Sequence, residues 1–148
     1  MRKLYDALLE KFYMPWAEYV RLNESCGRRV QQSFQSDIYF EVSIELLLIS
    51  SISLLIYYLY LNNRFGKYYS NRSWFVTFIF NSIIVSVVTY FTASEILANP
   101  PCNVSPLIFR ISLINLLLAL LIFFLLSFIF RQFSLMGKRT PYFGDTTN

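Results

Sequence analysis

Two glutamates, Glu41 and Glu45, stand four residues apart in the stretch FEVSIELLLISS, at the mouth of the first long apolar run. Four-residue spacing stacks them on one face of a helix. A carboxylate held in lipid is costly, roughly 2.5 to 3.5 kcal/mol for aspartate at a helix centre, and such groups often mark ion or proton paths. Near a helix N-terminus the cost is smaller, because the dipole there favours negative charge. Two further charges fall at the same level: Glu95 closes the second apolar run and Arg110 opens the third. Glu41, Glu45, Glu95 and Arg110 are therefore expected to form a charged collar at one membrane boundary, with Arg110 bridging to Glu45 or Glu95. The competing chemistry is a cation or proton entry site. A conduction path would continue polar across the bilayer, and the deeper residues supply only amides and hydroxyls.

Those deeper residues point to packing. Asn81, Ser82, Ser86, Thr89 and Ala93 lie in the second run, and Ser112, Asn115 and Ala119 in the third. Small side chains let helices approach closely, and asparagine hydrogen-bonds across the contact. The expected role is helix–helix adhesion, within one chain or between copies. The central half of each run lacks acidic and basic residues, which argues against a transporter with a charged midplane site.

Other chemistry is thinly supplied. The chain has no histidine and two cysteines, which removes most metal-ligand sets and leaves no imidazole for acid–base work near neutral pH. With four glycines and no GxGxxG, P-loop, GxSxG, HExxH or CxxC pattern, phosphate-cradling loops and familiar catalytic arrangements are missing. No enzyme activity, cofactor or small-molecule substrate is expected. Basic clusters such as Arg28-Arg29 run to two residues, too short for a nucleic-acid footprint. Cys26 precedes the first run and Cys102 lies between the second and third, so both fall on one side of the membrane in either orientation. An oxidising compartment there would allow a Cys26–Cys102 disulfide; the other reading is two unrelated thiols.

The elements that must position these residues follow from composition. Of 148 residues, 55% are hydrophobic and 15% charged, against about a quarter charged in soluble domains. The length suits one compact unit. Residues 42–61, 74–93 and 111–130 each meet the length of about 20 apolar residues that crosses a bilayer. Backbone groups in lipid must be satisfied within the segment, so the spans are helices. Tyr57, Tyr58, Tyr60 and Trp74 sit at span borders, where amphipathic rings favour the headgroup level. Asn99-Pro100-Pro101 breaks the chain before the third span. The predicted fold is an all-α integral membrane protein: three transmembrane helices over 42–130, an amphipathic N-terminal helical segment over 1–41, and a polar tail over 131–148.

In the N-terminal segment, Leu4, Leu8, Phe12, Trp16 and Tyr19 recur at three- and four-residue spacing, the pattern of one helical stripe. Pro15 kinks this helix or starts a second one. The stripe suits a membrane interface or a protein partner. Glu24-Ser25-Cys26-Gly27 reads as a turn. Val30, Phe34 and Ile38 then sit at four-residue spacing, so this stretch is expected to run into the first span as one long helix.

Basic residues set the orientation. Arg64, Lys67, Arg72, Arg131, Lys138 and Arg139 share one side, against Arg28, Arg29 and Arg110 close to the membrane on the other. The positive-inside rule places the C-terminus in the cytoplasm and the N-terminus outside, with a bacterial inner membrane as the expected location. The expected function is a non-enzymatic small integral-membrane subunit that anchors or helps assemble a larger envelope complex, a secretion, injection or transport machine. Its partners would be the lipid bilayer and other membrane subunits or copies of itself. The alternative is a homo-oligomeric ion channel or pore.

Overall fold

The computed structural model describes residues 2–61, 71–98 and 103–133, and no strand occurs among them. The helices are α1 (Arg2–Phe12), α2 (Trp16–Leu22), α3 (Gly27–Ser33), α4 (Tyr39–Leu55), α5 (Asn71–Ile96) and α6 (Ser105–Phe133). Pro15 separates α1 from α2: its backbone is extended, and its carbonyl accepts the first bonds of α2, from the N–H groups of Glu18 and Tyr19. A turn after Asn23 leads into α3 at Gly27. There an added Cβ would stand 2.8 Å from the Val20 Cα, so α2 and α3 cross at a distance that only glycine permits.

From Gly27 onward the chain is one helical rod. A π turn over Phe34–Ile38 joins α3 to α4, and a second over Ile56–Leu61 continues α4. The sequence explains both turns. Val30, Phe34, Ile38, Val42, Leu46, Ser50, Leu54 and Tyr58 are all buried. An α-helix turns in 3.6 residues, so a strict four-residue stripe drifts by about 40° per step and about 280° over its length. Each π turn adds one residue and restores about 100°. Two such turns cancel most of the drift, and coiling of the rod about its neighbours takes up the rest. The same insertions let the adjacent pairs Ile38-Tyr39 and Tyr57-Tyr58 both face inward.

Three helices are long and apolar enough to cross a membrane: Gly27–Leu59 (33 residues), Arg72–Ile96 (25 residues) and Ser105–Phe130 (26 residues). They pack pairwise, α5 on α6 and both on α4, in layers. Val42, Thr89 and Asn115 meet near the N-terminal end. Leu46, Val85 and Ala119 form the next layer. Ser50 pairs with Asn81. Leu54, Phe78 and Phe123 follow, and Tyr58, Trp74 and Ser127 close the far end. Outward, Leu48, Phe80, Phe91 and Leu121 are exposed, a surface suited to lipid rather than water.

The N-terminal end of the bundle carries a dense aromatic cap. Tyr5, Leu9, Trp16, Tyr19, Phe34 and Tyr39 pack in one cluster with Ile108 and Ile111 of α6, with Ala93 of α5 and with Leu97 just past its end. Tyr5 stacks on Tyr39 with ring centroids 5.2 Å apart. Trp16 lies against both Tyr19 and Phe34, each at 5.7 Å. The amphipathic segment is thus folded onto the bundle by burial of its own rings.

This differs from the single stripe that the spacing predicts. Trp16 and Tyr19 are buried and Leu8 is half-buried, but Leu4 and Phe12 are exposed, and Tyr5 and Leu9 take the inward positions. The break at Tyr13–Pro15 is the reason. Two helices joined by an extended proline need not share a register, and α1 settles where the Tyr5 hydroxyl finds a partner.

Candidate functional site

The polar side chains sort into four contacts down the bundle. The uppermost centres on Asn115, which is fully buried on α6. Its Oδ1 accepts from the Tyr5 hydroxyl at 2.5 Å, and its Nδ2 donates to Thr89 Oγ1 at 2.8 Å and to the Val42 carbonyl at 3.4 Å. One amide therefore ties α1, α4, α5 and α6 together. Burial pushes the Tyr5 hydroxyl up to about 12, opposed in smaller measure by hydrogen bonds to Ser43 and Asn115. Beside this centre, Glu45 Oε1 accepts from Thr92 Oγ1 at 2.7 Å, while Oε2 is buried with no hydrogen-bond partner. Lower down, Asn81 Nδ2 donates to Ser50 Oγ at 3.2 Å and its Oδ1 has no partner. At the far end the Ser127 hydroxyl meets the Tyr58 hydroxyl at 2.6 Å and accepts from Trp74 Nε1 at 3.1 Å.

The residues expected to form a collar are spread out. Glu41, Glu95 and Arg110 are exposed, and Glu45 is half-buried between α4 and α5. The Arg110 guanidinium stands over the Tyr13 ring at 6.0 Å, at the outer limit of a cation–π contact, and Glu45 takes its hydrogen bond from Thr92 instead. The packing residues are brought together more closely. Asn81, Ser82, Thr89, Ser112, Asn115 and Ala119 are all buried, with Ser86 half-buried. Ser82 and Ser112 spend their hydroxyls on the carbonyls four residues back, at 3.0 and 2.9 Å, so they contribute small size rather than cross-helix bonds. Cys26 is disulfide-bonded, and Cys102 lies outside the described residues. So do Arg64, Lys67, Pro100, Pro101 and the tail from residue 134.

Sequence reasoning passed over Tyr5, Ser50, Thr92 and Ser127. Ser50 and Ser127 look like ordinary serines inside apolar runs. Tyr5 falls one residue off the stripe that its neighbours suggest. Thr92 had a usable signal, since it stands one turn below Glu95, at the depth to which Glu45 descends.

Among the described residues no group of three or more His, Cys, Asp or Glu side chains is placed to hold a metal ion. A shallow groove of about 420 Å³ lies between α2 and α3, lined by Ala17, Val20, Arg28, Gln31 and Gln32. Comparison with protein-family models, with curated proteins and with solved structures finds no match to this chain.

Proposed function

We propose that this chain is a non-enzymatic integral-membrane subunit that anchors or helps assemble a larger envelope complex. The observation that carries the reading is the pairing of polar side chains across helices within one chain, with Glu45 Oε2 and Asn81 Oδ1 left over. Asn115, Thr89, Ser50, Tyr58 and Ser127 each bond to a side chain of another helix in the same bundle. Hydroxyls and amides used this way hold helices in register, which supports a packed bundle over a pore arranged from copies. What remains for recognition is the N-terminal cap and the apolar perimeter.

The proposed orientation places the cap outside a bacterial inner membrane and the C-terminus in the cytoplasm. It draws on the six basic residues of the first loop and tail against Arg28, Arg29 and Arg110 nearest the spans on the other side, where Arg2, Lys3, Lys11 and Arg21 also lie. The disulfide at Cys26 also supports it, because such bonds persist in oxidising compartments.

The test is the native mass of the tagged protein in mild detergent, with every co-purifying chain identified. Larger unrelated chains at fixed stoichiometry are the expected result. A ring of this chain alone would overturn the proposal and favour a homo-oligomeric pore.

A further inference from the structure

Helix α1 has three distinct sides. Successive residues turn about 100° around a helix, so Tyr5 and Leu9 point one way, and both are buried on α4 and α6. To one flank of that buried line stand Asp6 and Glu10. Asp6 faces the extramembrane helices: it accepts from Trp16 Nε1 at 3.0 Å on α2, and from Gln35 in the turn above α4 at 3.4 Å. To the opposite flank stand Phe12, Leu8 and Leu4, in steps of about 40°. Leu4 is 45% and Phe12 50% exposed, large apolar side chains without cover. Beyond them on the wheel comes Lys11.

The depth of this helix is fixed from two ends. Tyr5 hydrogen-bonds to Asn115 inside the third long helix, and Tyr13 stands beneath Arg110 at its opening. Helix α1 thus crosses the bundle at the level of the first turns of the span. Since Asp6 marks the side facing away from the membrane, the Leu4–Leu8–Phe12 flank faces toward it. Lys11 then lies where an ammonium meets lipid phosphate. An apolar flank below, Lys11 at the edge and a charged face of Arg2, Lys3, Asp6 and Glu10 above is the amphipathic arrangement of a helix lying in a bilayer interface.

We infer that α1 is a half-inserted interfacial helix: Tyr5 and Leu9 lock it to the bundle, while Leu4, Leu8 and Phe12 enter the acyl–headgroup boundary of the adjoining leaflet. The occupant of this flank is lipid, not a partner protein. The inference rests on reading the three long helices as membrane spans, and the test separates the two.

Phe12 is replaced by the photoreactive p-benzoylphenylalanine, and the full chain is irradiated in native membrane vesicles. The same residue placed at Leu113, an exposed position within α6 (42% exposed), reports on the span itself. Placed at Ala17, exposed on α2, it reports on the solvent side. Intact-mass analysis reads phospholipid adducts. The expected result is an adduct at Phe12 within about threefold of the yield at Leu113, as for a helix buried to the acyl boundary, with little at Ala17. An adduct at Leu113 alone, or a protein crosslink from Phe12, overturns the inference and leaves the spans standing. Absence of lipid adducts at both positions overturns the spans and the inference with them.

Discussion

Replacing Tyr5 with phenylalanine and Asn115 with leucine, singly and together, tests whether one buried amide holds the N-terminal helix to the bundle. Tyr5→Phe keeps the stack on Tyr39 and deletes one hydroxyl donor. Asn115 Nδ2 would still bond to Thr89 and Val42, but its buried Oδ1 would lose its donor, so the expected cost is about 1–3 kcal/mol. Asn115→Leu removes all three contacts and leaves the buried Tyr5 hydroxyl only Ser43 beside it, for which about 2–3 kcal/mol is expected. The double variant should cost less than the two singles added, because removing the hydroxyl also removes the group that Asn115→Leu deprives of its amide acceptor. Interhelical hydrogen bonds in membranes average about 0.6 and reach about 1.7 kcal/mol in such cycles, and the coupling should fall in that range. Unfolding by SDS titration in mixed micelles, followed by circular dichroism, gives the four free energies. Amide exchange in α1 gives a second reading: it should quicken in both single variants while the cores of α5 and α6 stay protected. Single-variant effects that add to within about 0.3 kcal/mol would mean no coupling and would refute the clamp.

Asn81→Leu should behave in the opposite sense. Its Oδ1 has no partner and its one cross-helix bond is to Ser50, so a leucine of similar size is expected to change stability by less than about 1 kcal/mol in the same titration. A loss as large as that of Asn115→Leu would contradict the contrast between the two amides. Gly27→Ala puts a methyl 2.8 Å from the Val20 Cα and should cost about 1–3 kcal/mol, read as earlier proteolysis between α2 and α3. Alkaline pH should release α1. The Tyr5 hydroxyl is raised above its usual 10.0 to about 12, so its stabilising contribution is complete below pH 10 and is lost as pH rises through 12. Amide exchange in α1, corrected for its intrinsic base catalysis, should accelerate over that window in the parent and not in Tyr5→Phe. Glu45→Gln retains an acceptor for Thr92, so stability should be unchanged or higher, and ion flux across reconstituted vesicles should match the parent. A change in flux would support a conduction role.

The three long helices are legible in the sequence because their signal is local: runs of apolar residues of sufficient length, bounded by aromatic and basic residues. The rod from Gly27 is legible for the same reason, through the spacing of Val30, Phe34 and Ile38. The two π turns are not announced by any motif, yet they follow from continuing that four-residue stripe to Tyr58 and asking how a 3.6-residue helix can keep it buried. Asn81, Asn115 and Ala119 stand out as packing residues because an amide or a small side chain in an apolar helix has few other uses. Their partners do not stand out. Ser50 and Ser127 acquire meaning only when the antiparallel register sets them opposite Asn81 and Trp74, and register is a property of the pair. Glu45 and Arg110 mislead in the other direction. Shared depth suggests a salt bridge, but position around the helix axis decides contact, and here it sends Glu45 toward Thr92 and Arg110 toward Tyr13.

The spacing of the polar layers bears on conduction. The Asn115 layer meets α4 at Val42, the Asn81 layer at Ser50 and the Ser127 layer at Tyr58. Eight residues separate each from the next, about 12 Å along a helix. Between them lie Leu46, Val85 and Ala119, then Leu54 and Phe123, every one at 0% exposure. Proton transfer along a chain of side chains needs neighbours at hydrogen-bond distance, near 3 Å, and ion passage needs a continuous polar lining. Among the described residues of one chain, polar groups at every second layer do not form such a continuous path through the bundle. They do meet the requirements of a clamp: each polar layer specifies which residues face one another, and each apolar layer supplies close packing between two such points. The Glu45 carboxylate lies between the Val42 and Leu46 positions of α4, with Oε1 on Thr92 and Oε2 without a partner. A carboxylate at the mouth of an apolar run thus meets α5 through Thr92 rather than bridging to Arg110.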